Sequence, residues 1–241
     1  MAKHFKLTAE TMINIFGKTL YRIECVIDCK WAKAGDKGGW LEKEDNLSGN
    51  AWVSGDAEVS DDAWVSGNAW VSGNARVSGN ARVSGNARVS SDAWVSGNAR
   101  VSGNAWVSGT VRVSGNAEVS DDARVSGNAW VSGKARVSGN AWVSGNARVS
   151  GNAWVSGNAR VSDDAWVSGS ADYCCLQSFG SCDRTTSVFR QKDGTLRVRC
   201  GCFDGNLSEF AAKVAETHGD NKFGKEYRAM IELIKIRFGL D

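Results

Sequence analysis

Cysteine and histidine are the residues of this chain that could carry metal or redox chemistry. There are seven cysteines and two histidines. The C-terminal candidates for a tetrahedral zinc site are Cys174, Cys175, Cys182, Cys200, Cys202 and His218. Paired zinc ligands favour two intervening residues, whereas Cys200 and Cys202 are separated by one and would point the same way along a strand. The spacing favours buried reduced thiols, with zinc or a disulfide as alternatives, and we expect no cofactor.

The overall charge gives little reason to expect a binder of phosphate backbones or membranes. The chain has 241 residues, with 29 basic and 27 acidic side chains and a net charge of +2. No apolar run reaches the roughly 20 residues that a membrane span requires, and residues Met1 to Phe16 lack the apolar block of a signal peptide. We therefore expect a cytoplasmic protein.

A strict repeat sets the unusual composition of 28 glycines, 11 tryptophans and no proline. A six-residue unit, as in Gly73-Asn74-Ala75-Arg76-Val77-Ser78, recurs from Asn50 to Ser168. Valine occupies every sixth position from Val53 to Val167, twenty times, with a small residue two places earlier except at Val111. Each unit is too small to bury its own apolar face, so the units must stack on their neighbours.

The period of six predicts a β-solenoid. A helix would distribute such a period around its surface, because six is not a multiple of about 3.6. Strand alternation instead places Ala75 and Val77 inside and Arg76 outside, while Gly-Asn tolerates the positive φ of a tight corner. Pentapeptide solenoids and the calcium-binding β-roll have other periods and do not fit.

The repeat resembles the hexapeptide repeat of left-handed β-helices, with an aliphatic residue at Val77, small residues at Ser78 and Ala81, and free positions between. The resemblance implies a left-handed parallel β-helix in which three hexapeptides form one triangular coil. About seven coils would then run from Leu41 to Tyr173, over roughly 30 Å. The left hand is implied by the resemblance alone, since parallel crossovers are generally right-handed.

The flanks resemble hexapeptide-repeat proteins that phage and prophage genomes encode. The leader motifs are Thr19-Leu20-Tyr21-Arg22-Ile23, Gly35-Asp36-Lys37-Gly38-Gly39-Trp40 and Asn46-Leu47-Ser48. The tail motifs are Arg197-Val198-Arg199-Cys200-Gly201-Cys202-Phe203 and Thr217-His218-Gly219-Asp220-Asn221-Lys222. The resemblance implies a phage or prophage origin but no particular activity.

We expect no enzymatic activity. Acyltransferases of the hexapeptide class use a histidine base near an inserted loop, and related carbonic anhydrases use three histidines on zinc. The repeats contain neither histidine nor insertion, and the chain has only His4 and His218. The pairs Asp61-Asp62, Asp121-Asp122 and Asp163-Asp164 fall on different predicted corners without a third carboxylate beside them. We therefore interpret them as turn residues rather than calcium ligands.

The residue before each valine points outward and is always Trp, Arg or Glu, and steps of 18 residues sort these positions into three columns. The first column is Trp52, Trp70, Arg88, Trp106, Arg124, Trp142 and Arg160. The second column is Glu58, Arg76, Trp94, Arg112, Trp130, Arg148 and Trp166. The third column is Trp64, Arg82, Arg100, Glu118, Arg136 and Trp154. The first two columns largely alternate Trp with Arg, which predicts cation–π stacking between adjacent coils.

Three interpretations of these columns remain open. The side chains could cover one another and stiffen the solenoid, or they could be buried against another protein or a second copy. They could also stack single-stranded nucleic acid, nucleotides or sugars. Between Asn46 and Ala171 there are ten basic and ten acidic residues, which argues against nucleic acid.

The two ends predict separate caps, so we expect three units, namely 1–40, 41–173 and 174–241. Alternating residues around Gly17-Lys18 predict an N-terminal β-hairpin that caps the first coil. After Ala171, a hairpin around Lys192-Asp193-Gly194 and two helices predict a small ββαα module.

From the sequence we predict a mainly β, non-enzymatic scaffold that acts through the first and second columns. Its partner would be another copy of the chain or a host or viral protein, with no membrane role. A homotrimer through the Trp-rich first column is favoured by resemblance. The alternative is a protein that captures a nucleotide or single-stranded nucleic acid on the same columns.

Overall fold

A β-hairpin opens the chain and continues into the first coil of a solenoid. The structure is a computed structural model that describes residues 3–240. Strands β1 (Phe5–Ile13) and β2 (Thr19–Cys25) are antiparallel, and β3 (Lys37–Leu41) pairs antiparallel with β2. The turn forms because the Asn14 side-chain oxygen accepts the N–H groups of Phe16 and Lys18, each at 3.0 Å. The predicted hairpin is therefore confirmed, and the predicted boundary at residue 40 falls inside β3.

Twenty strands, β4 to β23, each two residues long, follow the short 3₁₀ turn Glu44–Asn46. In chain order they are Trp52–Val53, Glu58–Val59, Trp64–Val65, Trp70–Val71, Arg76–Val77, Arg82–Val83, Arg88–Val89, Trp94–Val95, Arg100–Val101, Trp106–Val107, Arg112–Val113, Glu118–Val119, Arg124–Val125, Trp130–Val131, Arg136–Val137, Trp142–Val143, Arg148–Val149, Trp154–Val155, Arg160–Val161 and Trp166–Val167. Each strand pairs in parallel with the strand one coil away, as Val89 pairs with Val71 and Val107.

These pairings form three parallel sheets, which confirms the predicted parallel β-solenoid of about seven turns. Strands β5, β8, β11, β14, β17, β20 and β23 continue from β3 in one sheet. The other two sheets contain seven strands, from β4 to β22, and six strands, from β6 to β21. The N-terminal hairpin extends one of these sheets through β3, at the end of the solenoid where the repeats begin.

The interior of the solenoid is a column of valine and alanine. Every repeat valine is 0% exposed, and the repeat alanines are at most 1% exposed. Leu41 and Tyr173 lie in the same core at its two ends. Strand alternation therefore sorts the side chains as predicted, with apolar groups inside and the Trp, Arg and Glu positions on the outer surface.

The corners need a left-handed backbone conformation and close stacking. Gly85 has a φ of +69°, and a Cβ atom built on it would lie 2.9 Å from the carbonyl oxygen of Gly103 in the next coil. Asp61, Asp121 and Asp163 take the same conformation, with φ near +58°. These aspartates therefore stand at glycine positions of the corner, where Asp and Asn are the best tolerated alternatives.

The C-terminal module is a four-stranded antiparallel sheet with two helices. After the 3₁₀ turn Ser170–Asp172, the strands are β24 (Tyr173–Phe179), β25 (Arg184–Arg190), β26 (Leu196–Cys200) and β27 (Phe203–Gly205). The helices are α1 (Leu207–His218) and α2 (Lys222–Phe238). The β25–β26 hairpin and both helices are confirmed, whereas the predicted ββαα module lacked β24 and β27.

The module has its own core and closes the far end of the solenoid. Phe210, Ile231 and Ile234 pack on the sheet with Val188 and Val198. Two backbone contacts join the module to the solenoid. Ala165 forms an isolated antiparallel β-bridge with Gln191, and the backbone N–H of Arg160 donates to the Ser187 hydroxyl at 3.1 Å. Both ends of the stacked coils are thus covered by the chain itself.

Candidate binding surface

Each predicted column lies along one sheet of the solenoid. The first column follows the seven-stranded sheet, the second follows the sheet that continues from β3, and the third follows the six-stranded sheet. Arg88 pairs with Trp70 and Trp106, and Arg112 pairs with Trp94 and Trp130. The side chains that the sequence assigned to each column are therefore direct neighbours across adjacent coils.

The start of the first column is covered by the N-terminal segment, contrary to its predicted place on an open face. Trp52 is only 2% exposed, and its ring centroid lies 6.0 Å from that of His4. Trp70 is stacked on Trp31, with centroids 5.2 Å apart. The periodicity placed both indoles outside the coil, but His4 packs on Trp52 and the loop after β2 folds back over Trp70. Trp52 is therefore not available to a partner, and Trp70 is largely covered.

From Trp94 to Trp166, the second column forms a continuous cation–π ladder. The Arg112 guanidinium lies 5.8 Å from the Trp94 ring and 5.9 Å from the Trp130 ring. The Arg148 guanidinium lies 5.4 Å from Trp130 and 5.7 Å from Trp166. Each arginine is therefore held between two indoles, which is the stacking that the alternation predicted.

The other columns are less regular. In the first, Arg160 lies 5.8 Å from the Trp142 ring, while Arg88 lies 5.3 Å from the ring of Trp31 in the covering loop. In the third, Arg82 lies 5.9 Å from Trp64. Arg136 instead pairs with Glu118 at 3.7 Å. Within residues 3–240 the second column has the longest ladder. Its first indole, Trp94, packs against Phe16 of the N-terminal hairpin turn, with ring centroids 5.7 Å apart, whereas Trp130 and Trp166 are exposed.

Serine residues of the neighbouring coil fix the orientation of several indoles. The Trp64 N–H donates to the Ser48 hydroxyl at 2.7 Å, and the Trp130 N–H donates to Ser114 at 3.4 Å. The same contact joins Trp142 to Ser126 at 3.3 Å. Because the polar edge of each ring is bonded within the solenoid, its apolar face is what it presents to solvent. Sequence reasoning missed this role, although a serine follows every repeat valine.

Six indoles remain exposed on the outer surface, between 37% and 58%. They are Trp64, Trp106, Trp130, Trp142, Trp154 and Trp166. Four of the six, Trp130, Trp142, Trp154 and Trp166, lie in the half of the solenoid nearest the C-terminal module. This is more exposed aromatic surface than a monomer usually leaves in water.

The charges of the repeats are segregated between faces and corners. The face positions carry nine arginines and two glutamates, while eight of the ten acidic residues stand at corners. Two of these arginines form ion pairs, Arg76 with Glu58 at 3.4 Å and Arg136 with Glu118 at 3.7 Å. Within residues 3–240 the other seven face arginines have no ion pair. The equal totals of basic and acidic residues therefore conceal faces that are strongly positive.

Asparagine and aspartate side chains form ladders along the corners. Asn86 donates to Asn104 at 3.1 Å, and Asn104 donates to Asp122 at 2.9 Å. The Asp61 carboxylate accepts the backbone N–H of Gly79 at 3.0 Å, and Asp121 accepts that of Gly139 at the same distance. The hydrogen bond from Gly79 lowers the pKa of Asp61, with Lys18 adding to the effect against the cost of burial. These contacts agree with the prediction that the aspartate pairs are turn residues.

The cysteines of the C-terminal module do not converge on one point. Cys200 is buried at the end of β26, whereas Cys202 is exposed in the following turn, so the two do not point the same way as expected. The chain leaves strand geometry at Gly201, whose φ is +60°. Among residues 3–240, no group of three His, Cys, Asp or Glu side chains has the geometry to hold a metal ion.

The two histidines contact aromatic and backbone groups. His218 is stacked on Tyr227, with ring centroids 5.4 Å apart. A ring nitrogen of His4 lies 2.9 Å from the carbonyl oxygen of Ala51. Burial and the neighbouring Cys200 raise the pKa of Tyr227 to about 12. His218 thus packs within the C-terminal module, and His4 joins the N-terminal segment to the first coil.

No helix in the described part of the chain has the length and apolar character to cross a membrane.

Comparison with known protein families identifies a similarity in the repeats. A family model described as the YdcK beta solenoid repeat matches the chain in eight stretches, which are residues 69–83, 75–91, 81–97, 93–109, 117–133, 135–151, 141–157 and 153–169. A search of curated proteins gave no match. The matched stretches contain Trp94, Trp130, Arg148 and Trp166 of the second column but not Arg112, and they include neither the N-terminal cap nor the C-terminal sheet and helices.

Proposed function

We propose that this β-solenoid repeat protein is a non-enzymatic scaffold that binds an acidic protein surface through its second column. The observation that carries the proposal is the ladder Trp94-Arg112-Trp130-Arg148-Trp166, in which indoles alternate with arginines that have no ion pair in the described structure. The indoles supply apolar contact area and the arginines supply unpaired positive charge.

The C-terminal end of this ladder offers the best anchor for a partner. Trp130 and Trp166 are 37% and 38% exposed and flank Arg148. A groove of about 320 Å³ beside them is lined by Asn128, Asn146 and Lys192, among others. Tryptophan and arginine are the residue types that dominate protein interfaces, because they combine large contact areas with polar groups.

Charge favours an acidic partner over a second copy of the same face. Two identical arginine-rich faces would bring like charges together, which opposes symmetric self-association. The trimer predicted through the first column also loses two of its four indoles, because Trp52 is buried and Trp70 is stacked on Trp31. A host or viral protein with a carboxylate-rich surface is therefore the partner that we propose.

Two matched double variants test the proposal. The variant Trp130→Ser/Trp166→Ser removes the exposed indoles of the second column, and Trp106→Ser/Trp142→Ser removes two similarly exposed indoles of the first. A partner is captured on the immobilised parent from lysate of the source cell, purified, and titrated against all three proteins. We expect the second-column variant to weaken binding at least tenfold and the first-column variant to change it little.

Salt and mass measurements complete the experiment. Binding to the parent should weaken as ionic strength rises, because part of the attraction is electrostatic. Equal binding by both double variants would reject the second column as the interface. Light scattering at tens of micromolar tests self-association directly, and a trimer that Trp106→Ser/Trp142→Ser dissociates would favour the first column instead.

A second candidate is the capture of a nucleotide or single-stranded nucleic acid on the same face. The segregation of arginines onto the faces favours it, since aromatic platforms with basic side chains stack bases without sequence preference. Fluorescence anisotropy with labelled oligo-dT and oligo-U measures this binding. Tight, salt-sensitive binding that Trp130→Ser/Trp166→Ser abolishes would support the nucleic-acid function over the protein scaffold.

We also propose the finer features of the fold and origin that the resemblance implies. Three two-residue strands in every 18 residues, with corners at positive φ, support triangular coils of the hexapeptide type. The left-handed winding is proposed on the resemblance alone. The leader and tail motifs support a phage or prophage origin. Seven free cysteines support a reducing, cytoplasmic environment. A crystal structure tests the handedness of the solenoid. The redox state is tested by counting reactive thiols in protein purified from its source and denatured without reductant, where seven are expected.

A further inference from the structure

A cleft lies where the last coil of the solenoid meets the C-terminal sheet. Its volume is about 510 Å³, and its walls include Arg160 of β22, Arg184 and Ser187 of β25, and Arg199 of β26. Phe203 and Asp204 of β27 also line it. Three arginines from three strands therefore face one cavity, and they come from both units of the protein.

The cleft exists because the coil stacking stops at Arg160. This arginine is the last member of the first column, so no further solenoid strand pairs beyond β22. Strand β25 packs there instead, and the Ser187 hydroxyl accepts the Arg160 backbone N–H at 3.1 Å. The Arg160 side chain is left exposed at the seam.

The cleft has a surplus of positive charge. Its lining contains three arginines and one aspartate, which gives 3 − 1 = +2. Arg197 and Asp163 lie just beyond the lining and form ion pairs with it. Their charges cancel, so the net charge stays at +2. Asp204 is held by Arg197 and Arg199, and these hydrogen bonds lower the pKa of its carboxyl despite the opposing effect of burial. The surplus therefore rests on Arg160 and Arg184.

Several donors in the cleft lack acceptors within residues 3–240. Arg160 forms no ion pair there, Arg184 has the Cys182 thiol beside it but no carboxylate, and the buried Nε of Arg199 has no hydrogen-bond partner. A buried donor without an acceptor is costly, so an oxygen-rich anion in the cleft would remove that cost. The guanidinium groups would meet such an anion through charge-assisted hydrogen bonds.

We propose that this cleft binds a small phosphate monoester of about the size of a nucleoside phosphate. A phosphate monoester carries about −1.5 to −2 charges at neutral pH, which matches the surplus of the cleft better than a monocarboxylate does. The volume falls in the usual range for ligand sites, and the Phe203 ring supplies an apolar wall for the organic part. The site is separate from the exposed end of the second column and does not depend on the scaffold function.

Calorimetric titration with AMP and with inorganic phosphate tests the site on the full chain. The variants are Arg160→Gln and Arg184→Gln, and the control is Arg124→Gln, an exposed arginine without an ion pair two coils away on the same column. We expect AMP to bind, each cleft variant to bind it about tenfold more weakly or worse, and the control to match the parent. Circular dichroism confirms that all variants fold.

The outcomes separate the proposal from its alternatives. Stronger binding of AMP than of inorganic phosphate would confirm that the organic part contributes to recognition, and equal binding would overturn the assignment to a monoester. No heat with either probe at millimolar concentration, or an equal loss in Arg124→Gln, would reject the cleft as a specific phosphate site.

Discussion

The indole of Trp31 is stacked on the indole of Trp70, with ring centroids 5.2 Å apart and planes inclined by only 13°. The Trp31 N–H also donates to the carbonyl oxygen of Asn68 at 3.0 Å. The Arg88 guanidinium lies 5.3 Å from the Trp31 ring. One residue of the loop after β2 thus contacts two members of the first column and one corner carbonyl, and it fastens the N-terminal cap to the solenoid.

We expect Trp31→Ala to loosen this cap. The change removes a partly buried aromatic contact and a hydrogen bond, so the free energy of unfolding should fall by about 2 kcal/mol. Acrylamide quenching of tryptophan fluorescence should increase because Trp70 becomes exposed. The control is Trp154→Ala, where the indole is already 58% exposed, and we expect a change below about 1 kcal/mol. Equal effects of the two changes in urea unfolding would contradict the fastening role of Trp31.

Alanine substitutions at two glycines with positive φ should differ in how much they destabilise the protein. Gly17 and Gly85 both have positive φ, at +75° and +69°, but only Gly85 has backbone of another coil within reach of a new Cβ atom. Gly17→Ala should therefore cost about 1 kcal/mol from backbone conformation alone. Gly85→Ala should cost more, because the coils must also separate. Thermal unfolding of the two variants compares them, and similar losses would mean that the coils tolerate a methyl group at the corner.

The Asp61 carboxyl should contribute to the dependence of stability on pH. Its pKa is lowered in the folded protein, first by the hydrogen bond from Gly79. The folded state therefore binds fewer protons, and the resulting stability is present above the unfolded pKa of about 3.9 and lost as pH falls through the folded pKa. Asp61→Asn should reduce the loss of stability between neutral and strongly acidic pH. The effect should be at most about 1 kcal/mol, because the group is partly exposed.

Asp62→Asn is the matched control for this measurement. Among residues 3–240, Asp62 pairs only with the Lys43 ammonium, at 2.7 Å, and its side chain is 75% exposed. Urea unfolding at several pH values should show a smaller change for it than for Asp61→Asn. Identical pH profiles of Asp61→Asn and the parent would show that the Gly79 hydrogen bond does not contribute to acid stability.

Cys182 should be a fast-reacting thiol. It is exposed, and hydrogen bonds with Ser181 and then Arg184 lower the pKa of its thiol. Burial instead raises the pKa of Cys25. Because the thiolate is the reactive form, iodoacetamide should modify Cys182 well before Cys25 at neutral pH. Arg184→Gln should slow the reaction and move its pH profile upward, as measured by mass spectrometry. An unchanged profile would show that Arg184 does not stabilise the thiolate.

The architecture of the repeats could be predicted from the sequence because every local signal agreed. Val107 and Ala105 recur with their neighbours at a single period, so strand alternation alone decided which side chains are inside. The pairing of Trp130 with Arg112 and Arg148 followed directly from the same count. A repeat fixes both the local structure and the partner of each residue one coil away.

The accessible part of the surface could not be predicted in the same way. Trp52 and Trp106 occupy equivalent repeat positions, yet one is buried and the other exposed, because His4 and the loop containing Trp31 lie over only the first coils. These contacts join residues far apart in sequence and outside the periodic pattern. Strands β24 and β27 were also missed. Strand β27 has only three residues, which is too few for an alternating pattern to identify it.

Residues that pair between adjacent coils are 18 positions apart, and this spacing also determines how the solenoid can change in length. A duplication or loss of one 18-residue coil would keep valine stacked on valine and asparagine on asparagine. It would, however, place Trp next to Trp or Arg next to Arg where the second column is rejoined. A change of two coils would keep the alternation intact. Recombination within the repeats is thus expected to lengthen or shorten this molecule in steps of about 9.6 Å, twice the strand spacing.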